Sequence, residues 1–223
     1  MNKIIYFLLL FCCSCSNADR TESNLKSIVE NKNSPLKETY VLLDKLSITG
    51  DFDGDGTTDT LYQNNISGIT KLPIDSFPDS QWDSIENYFS KIDADVILTL
   101  SNQKHDTLHL GSGASLYCLI NIGDNNKDKK DEIAFVVNRY NFTNISRCYI
   151  YTLCDPKWIE LKSFNIHEFA FQDEDDSLKS LKQIKGFLEY RKNKWFFISY
   201  DDWFNAESNK DTILKVLKIK KGC

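Results

Sequence analysis

Two stretches of this chain can be laid over one another. GDFDGDGTTDTLYQ, residues 50–63, matches GDNNKDKKDEIAFV, residues 123–136. Gly50 falls on Gly123, Asp51 on Asp124, Asp53 on Asn126, Asp55 on Asp128 and Asp59 on Glu132, and a strand-like run opens after each copy. Such an internal repeat means that one supersecondary unit is used at least twice. The copies lie 73 residues apart (124 − 51), more than the roughly 40–45 residues of one four-stranded unit. The stretch from Ile66 to Ile92 accounts for the excess as an insertion in the first copy.

The spacing of the acids has a chemical reading. Calcium takes six to eight oxygens at about 2.3–2.6 Å, and a sharply curled loop supplies them from alternating positions. In the first loop, 51–59, these are the side chains of Asp51, Asp53, Asp55 and Asp59 and the carbonyl of Thr57. Gly56 gives the positive φ that the curl requires. An EF-hand is disfavoured, because position 12 is Tyr62 and strands rather than helices flank the loop. Magnesium is disfavoured too, since it dehydrates reluctantly and rarely takes an all-protein cage. The second loop, 124–132, is the weaker site, with Asp124, Asn126, Asp128 and Glu132. There Lys129 replaces the glycine, Lys127 and Lys130 add positive charge, and Asp131 competes with Glu132 for the last ligand position. The competing expectation for both loops is a metal-free turn, since Asp, Asn and Gly are ordinary turn residues.

Most of the remaining chain is strand-like. YVLL, DTLYQ, ADVILTLS, HDTLHL, SLYCLINI, EIAFVVN, RCYIYTLC, KWIELKSF, GFLEY and KWFFISY are short β-branched and aromatic runs separated by turn formers. RKNK before WFFISY reads as a hairpin turn. Two segments carry helical periodicity instead. In PDSQWDSIENYFSKI, Trp82, Ile85, Tyr88 or Phe89, and Ile92 share a face, and Ser80 with Asp83 forms a capping-box pattern. EDDSLKSLKQIKG is a second, weaker candidate. The class is mainly β, with one or two inserted helices.

Glycine, D-x-[DN]-x-D, a later acidic residue and then an apolar strand resembles the calcium-loop repeats of the FG-GAP and VCBS families, as in integrin α-subunit heads. The resemblance covers about fourteen residues per copy. It lacks the family's phenylalanine-glycine pair before either loop, and no such loop follows Phe171. It implies a small or incomplete β-propeller-like stack of antiparallel meanders, with structural Ca2+ pinning the turns. Some bacterial envelope proteins of this kind inhibit lysozyme.

The N-terminus supplies an address. In MNKIIYFLLLFCCSCSNADR one lysine precedes an apolar run, Ile4–Phe11, of signal-peptide length. The following stretch resembles a bacterial lipobox, with Cys15 the lipidation site and Cys13 the fallback. The expected organisation is a signal peptide over 1–14, a lipid-anchored polar tether over 15–36, and one β-rich domain over 37–223. The location implied is the bacterial envelope, at the outer membrane. With Lys3 removed the charge is 26 − 32 = −6, so a nucleic-acid partner is excluded by charge. In that oxidising compartment four cysteines, Cys118, Cys148, Cys154 and Cys223, allow two disulfides. Cys148 and Cys154 stand about 20 Å apart along one strand, so each is expected to pair with Cys118 or Cys223, in an order left open.

Catalytic constellations are scarce. There is no G-x-S-x-G, H-E-x-x-H or P-loop, and His105 and His109 are expected about 13 Å apart on one strand face. Trp195–Tyr200 reads as a buried strand, and Trp203 and Phe204 as a candidate ligand platform. The expected function is a non-enzymatic binding module, meeting an envelope protein or glycan. The alternatives are a glycan-active envelope enzyme and a propeller-type lysozyme inhibitor.

Overall fold

A computed structural model describes residues 38–102, 104–139, 143–172, 181–205, 214–220 and 222–223. The leader, Cys15 and the tether lie outside the described residues. So does the start of EDDSLKSLKQIKG, whose described remainder, 181–186, is not helical.

Strand formation follows the apolar runs. β1 (Tyr40–Leu42) is followed by β2 (Ser47–Gly50) and β3 (Asp59–Ser67). β4 (Ser76–Pro78) and α1 (Trp82–Lys91) then interrupt the sequence before β5 (Ala94–Leu100) and β6 (Leu108–Ser112). β2, β3, β5 and β6 form one four-stranded antiparallel meander, while β4 pairs back onto β1. The insertion expected in the first copy is therefore β4 and α1. A second meander follows without such an insertion: β7 (Ser115–Gly123), β8 (Glu132–Asn138), β9 (Ile145–Cys154) and β10 (Lys157–His167), paired in sequence order. β11 (Leu188–Arg191), β12 (Lys194–Phe197) and β13 (Lys215–Val216) make a three-stranded sheet. The fold is mainly β, with antiparallel sheets and two helices among the described residues.

The three large sheets stack in chain order. One face of the second meander packs Leu116, Leu119, Ile133, Phe135 and Leu153 against Leu61, Val96, Leu98 and Leu100 of the first. Its other face packs Cys118, Val136, Cys148, Ile150 and Ile166 against Ile184, Leu188, Trp195 and Leu217. Two covered faces explain why EIAFVV is buried throughout, without alternation. Each fully buried Leu, Ile or Phe contributes about 1.5–3 kcal/mol, so this sheet draws core energy from both sides. β3 instead alternates, and Gln63 and Asn65 on its inward face satisfy one another. Gln63 Nε2 donates to Asn65 Oδ1 (3.1 Å) and to the Asp44 carbonyl (3.3 Å).

Several local expectations need correction. α1 buries Phe89 and half-buries Trp82, Ile85 and Tyr88, as the periodicity predicts. Its N-cap, however, is Gln81, with no side-chain cap bond, so Ser80 and Asp83 form no capping box. The strand expected over Trp195–Tyr200 ends at Phe197, and a short helix, α2 (Tyr200–Asn205), begins. Asp201 and Asp202 lie in its first turn, where acidic side chains favour a helix over a strand. The RKNK turn is a hairpin with positive φ at Lys192 (48°) and Asn193 (59°), the pattern of a type I′ turn.

Among the described residues one disulfide forms, Cys154–Cys223. The second expected pair does not: Cys118 and Cys148 are buried free thiols. Both are registered to Val136, one on each side of it. Two strand spacings separate them by about 9.5 Å, beyond the ~7 Å reach of a disulfide. Burial pushes the Cys118 thiol up to about 12 and the Cys148 thiol well above its usual value, so neither is a reactive thiolate.

Candidate metal centre

The two acidic loops occupy the same place in the two meanders. Residues 51–58 join β2 to β3 and 124–131 join β7 to β8. Gly50 is paired with Asp59 in one ladder and Gly123 with Glu132 in the other. Their internal bonds correspond. Asp51 accepts from Gly54 N (2.9 Å) and Gly56 N (3.0 Å), and Asp124 from Lys127 N (2.6 Å) and Lys129 N (3.0 Å). Asp53 accepts from Asp55 N (3.1 Å) as Asn126 does from Asp128 N (2.9 Å). Asp55 accepts from Thr57 N (2.8 Å) as Asp128 does from Lys130 N (3.0 Å). Positive φ falls at Gly54 (79°) and Gly56 (86°), and at the matching Lys127 (63°) and Lys129 (73°). The lysines therefore adopt the curl that the glycines make easy, at a cost of about 1–2 kcal/mol each.

These turns use the backbone N–H groups but leave oxygens over. Asp51, Asp53 and Asp55 each offer a carboxylate oxygen within 4.8 Å of the others, and so do Asp124, Asp128 and Glu132. Asp59 and Glu132, the last acid of each loop, are 6% and 0% exposed. Asp59 Oδ2 and Glu132 Oε1 are buried without a hydrogen-bond partner. A buried carboxylate oxygen with no donor costs several kcal/mol unless a cation or a proton satisfies it. The Asp59 carboxyl is raised by burial and then by Asp53, Asp55 and Asp51. Burial, with Asp128 and Asp124 adding to it, pushes Glu132 up to about 7 against the Asn125 N–H that lowers it. The donor set is all oxygen and strongly acidic, which fits a hard divalent cation of calcium's size. Within the second loop Asn126 spends its amide on Asp128, with Nδ2 donating to Oδ2 (2.9 Å).

Glu132 makes a test with opposite signs in two conditions. Without metal its folded carboxyl holds a proton that the unfolded chain, with an ordinary carboxyl, has released. Stability should therefore fall as pH rises from about 4.5 towards 7. Glu132→Gln should flatten that slope and stabilise the chelated protein at pH 8 by about 1–2 kcal/mol. In millimolar calcium the same change should destabilise. Urea midpoints at pH 5 and 8, with calcium and with chelator, check both signs.

Asn102 and His105 contact these loops without any sequence motif to announce them, and Asp131, a ligand candidate by spacing, contacts the first loop instead. Asn102 Nδ2 donates to Asp53 Oδ2 (3.2 Å) and Asp59 Oδ1 (3.0 Å). His105, 9% exposed, sets Nε2 3.2 Å from Asp53 Oδ2 and Nδ1 3.3 Å from Asp155 Oδ1. β6 begins only at Leu108, so His105 and His109 do not share a strand face. His109 lies on β6, paired with Asp95 at 2.5 Å. Asp131 does not compete with Glu132: its carboxylate turns to the first loop, accepting from Asp51 N (3.2 Å) and Asn121 Nδ2 (2.8 Å). Thr57 is exposed, and its hydroxyl donates to Asp55 Oδ1 (2.6 Å).

The aromatic candidates separate. Trp203 is half-buried against Tyr200, Phe169 and Phe187, whereas Phe204 is 68% exposed. No helix among the described residues is long and apolar enough to cross a membrane. No family model, curated protein or solved structure matches this chain, so the chemistry of the two loops is what identifies the site.

Proposed function

We propose that this chain is a calcium-stabilised binding module of FG-GAP/VCBS type, propeller-like in plan and held on the bacterial envelope by a lipid at Cys15. The observation that carries the reading is the recurrence of one loop at one place in two meanders, each closed by a buried carboxylate oxygen without a partner. Calcium there neutralises crowded acids and fixes the turn between the first two strands. Its oxygens come from Asp51, Asp53, Asp55, Asp59 and the Thr57 carbonyl, and more weakly from Asp124, Asn126, Asp128 and Glu132. Modules of this kind bind at roughly 10⁻⁴–10⁻³ M, which suits an extracytoplasmic site.

Face-to-face stacking in chain order supports a propeller-like plan. So does the approach of the first strands of the two meanders. Asn121 Nδ2 of β7 donates to the Thr49 carbonyl of β2 (2.9 Å), and a cavity of about 450 Å³ lies between Ser47–Thr49 and Leu119–Asn121. Propeller blades likewise stack around a central channel. The loop acids converge on their own backbone N–H groups, which favours a structural role over catalysis. The partner is an envelope protein or glycan.

Equilibrium dialysis of the full chain in detergent against labelled calcium tests the metal sites. The expected result is two ions per chain, falling to one with Asp53→Ala/Asp55→Ala. Membrane fractionation of Cys15→Ala tests the anchor, with release into the soluble fraction expected. Absence of bound calcium at millimolar concentration overturns the metal-stabilised reading; undiminished membrane attachment overturns the lipid anchor.

A further inference from the structure

The two loops are physically joined. The Asp131 N–H donates to the Asp51 carbonyl (2.8 Å), and the Asp51 N–H donates back to Asp131 Oδ2 (3.2 Å). Asp51 is the first acid of one loop, and Asp131 immediately precedes Glu132, the last acid of the other. Asn121 Nδ2 completes the joint by donating to Asp131 Oδ2 (2.8 Å) and to the Thr49 carbonyl (2.9 Å). Gly50 is what lets the loops approach: a Cβ there would lie 2.3 Å from Asn121 Nδ2 and 2.6 Å from Asp131 Oδ2. The Lys130 side chain also crosses the first loop, with Cγ 2.9 Å from where a Gly54 Cβ would stand.

We infer that the two loops fill with calcium as a positively coupled pair, through the Asp51–Asp131 joint. This rests on the reading of both loops as cation sites, and it concerns their regulation rather than their existence. An ion in the first loop draws in the Asp51 carboxylate and fixes its peptide. The Asp51 carbonyl accepts from the N–H of Asp131, the residue before Glu132, so the second loop has less left to order when its own ion arrives. Ordering paid for by one ligand is saved by the next. Electrostatics acts in the other direction, because each ion reduces the negative potential at its neighbour. At 0.15 M salt the Debye length is about 8 Å, and most of the loop carboxylates are at least partly exposed, so salt screens part of this opposition. Coupling is reciprocal, so filling the second loop tightens the first by the same factor.

The test is a calcium titration of the full chain in detergent micelles, followed by amide NMR. Gly56 N–H reports the first loop and Gly123 N–H the second. With the first loop disabled by Asp53→Ala/Asp55→Ala, the second should bind at least about fivefold more weakly than in the unmodified chain. Asp131→Ala removes the acceptor for Asp51 N–H and Asn121, and should leave both loops binding with less than about twofold coupling. Asp131→Asn keeps an acceptor there and should restore the coupling. Two occupied loops with affinities independent of one another overturn the inference while leaving the metal reading intact. Binding at one loop only, or at neither, overturns the inference together with part or all of that reading. The Gly123 amide of the double variant, compared in chelator with the unmodified chain, shows that the second loop is still folded.

Discussion

Removing calcium from the full chain should lower its melting temperature by about 10 °C. A cation that binds only the folded state stabilises it by RT ln(1 + [L]/Kd). At 10 mM calcium and a Kd of 10⁻⁴–10⁻³ M, each loop gains about 1.4–2.7 kcal/mol. Two loops together gain about 3–5 kcal/mol, and in a domain of this size each kcal/mol moves the midpoint by about 2–4 °C. Asp53→Ala/Asp55→Ala should remove more than half of the shift, since the first ion is lost and the second loop then binds more weakly. In chelator the same variant should differ far less from the unmodified chain, because relief of the crowding that raises Asp59 offsets the loss of the bonds that Asp53 and Asp55 accept from Asn102 and Thr57. The contrast separates a lost ligand from a damaged turn. A midpoint that ignores both calcium and chelator would leave the loops as polar turns and remove the main support for a propeller-like module.

Replacing the Cys154–Cys223 disulfide should cost a similar amount by a different route. The bridge joins residues 69 apart in sequence, and closing a loop of that length restricts the unfolded chain by about 4 kcal/mol. The double change Cys154→Ser/Cys223→Ser should therefore lower the midpoint by about 8–16 °C. Both residues are changed so that no stray thiol is left to exchange. Cys118→Ala/Cys148→Ala is the matched control. Those thiols are unbonded, so its cost is confined to lost packing and should be the same with and without reductant. The loss from the Cys154/Cys223 variant should equal the loss that reductant causes in the unmodified chain. If reductant leaves the unmodified chain unmoved, the bridge contributes nothing.

The strands and the acidic loops were legible because their signals are local. Alternation in DTLYQ, continuous apolarity in EIAFVV and the spacing D-x-D-x-D-G are each carried by adjacent residues. β2 and β4 went unread, since SITG and SFP are too short to show a period and are strands only because β3 and β1 pair with them. The second disulfide failed for a reason sequence does not contain: register. Cys118 and Cys148 are two rungs apart across Val136, and nothing in their spacing along the chain reveals that. Asn102 and His105 went unread as loop partners for the same cause, and Asp131, read as a ligand candidate of its own loop, went unread as a partner of the first. Each reaches the loops from a different turn, 43 residues away for the bond from Asn102 to Asp59 and 80 for that from Asp131 to Asp51. Lys127 and Lys129 suggested a degraded copy, yet the backbone holds the same curl. There the ladder closing at Gly123 and Glu132 outweighs local preference.

The middle sheet has a consequence for how such a chain can grow. A meander that is apolar on both faces cannot be released by itself into water, so it behaves as an interior link and never as an end. The first meander is suited to be an end. Its outward residues Thr60, Tyr62, Asn64 and Thr99 are polar or aromatic and at least partly exposed. Lengthening by duplication therefore has a grammar. A copied middle layer is tolerated only when spliced between existing layers, with the half-polar sheet kept on the outside. A copy added outside the half-polar sheet would present a bare apolar face and seek a second molecule to cover it.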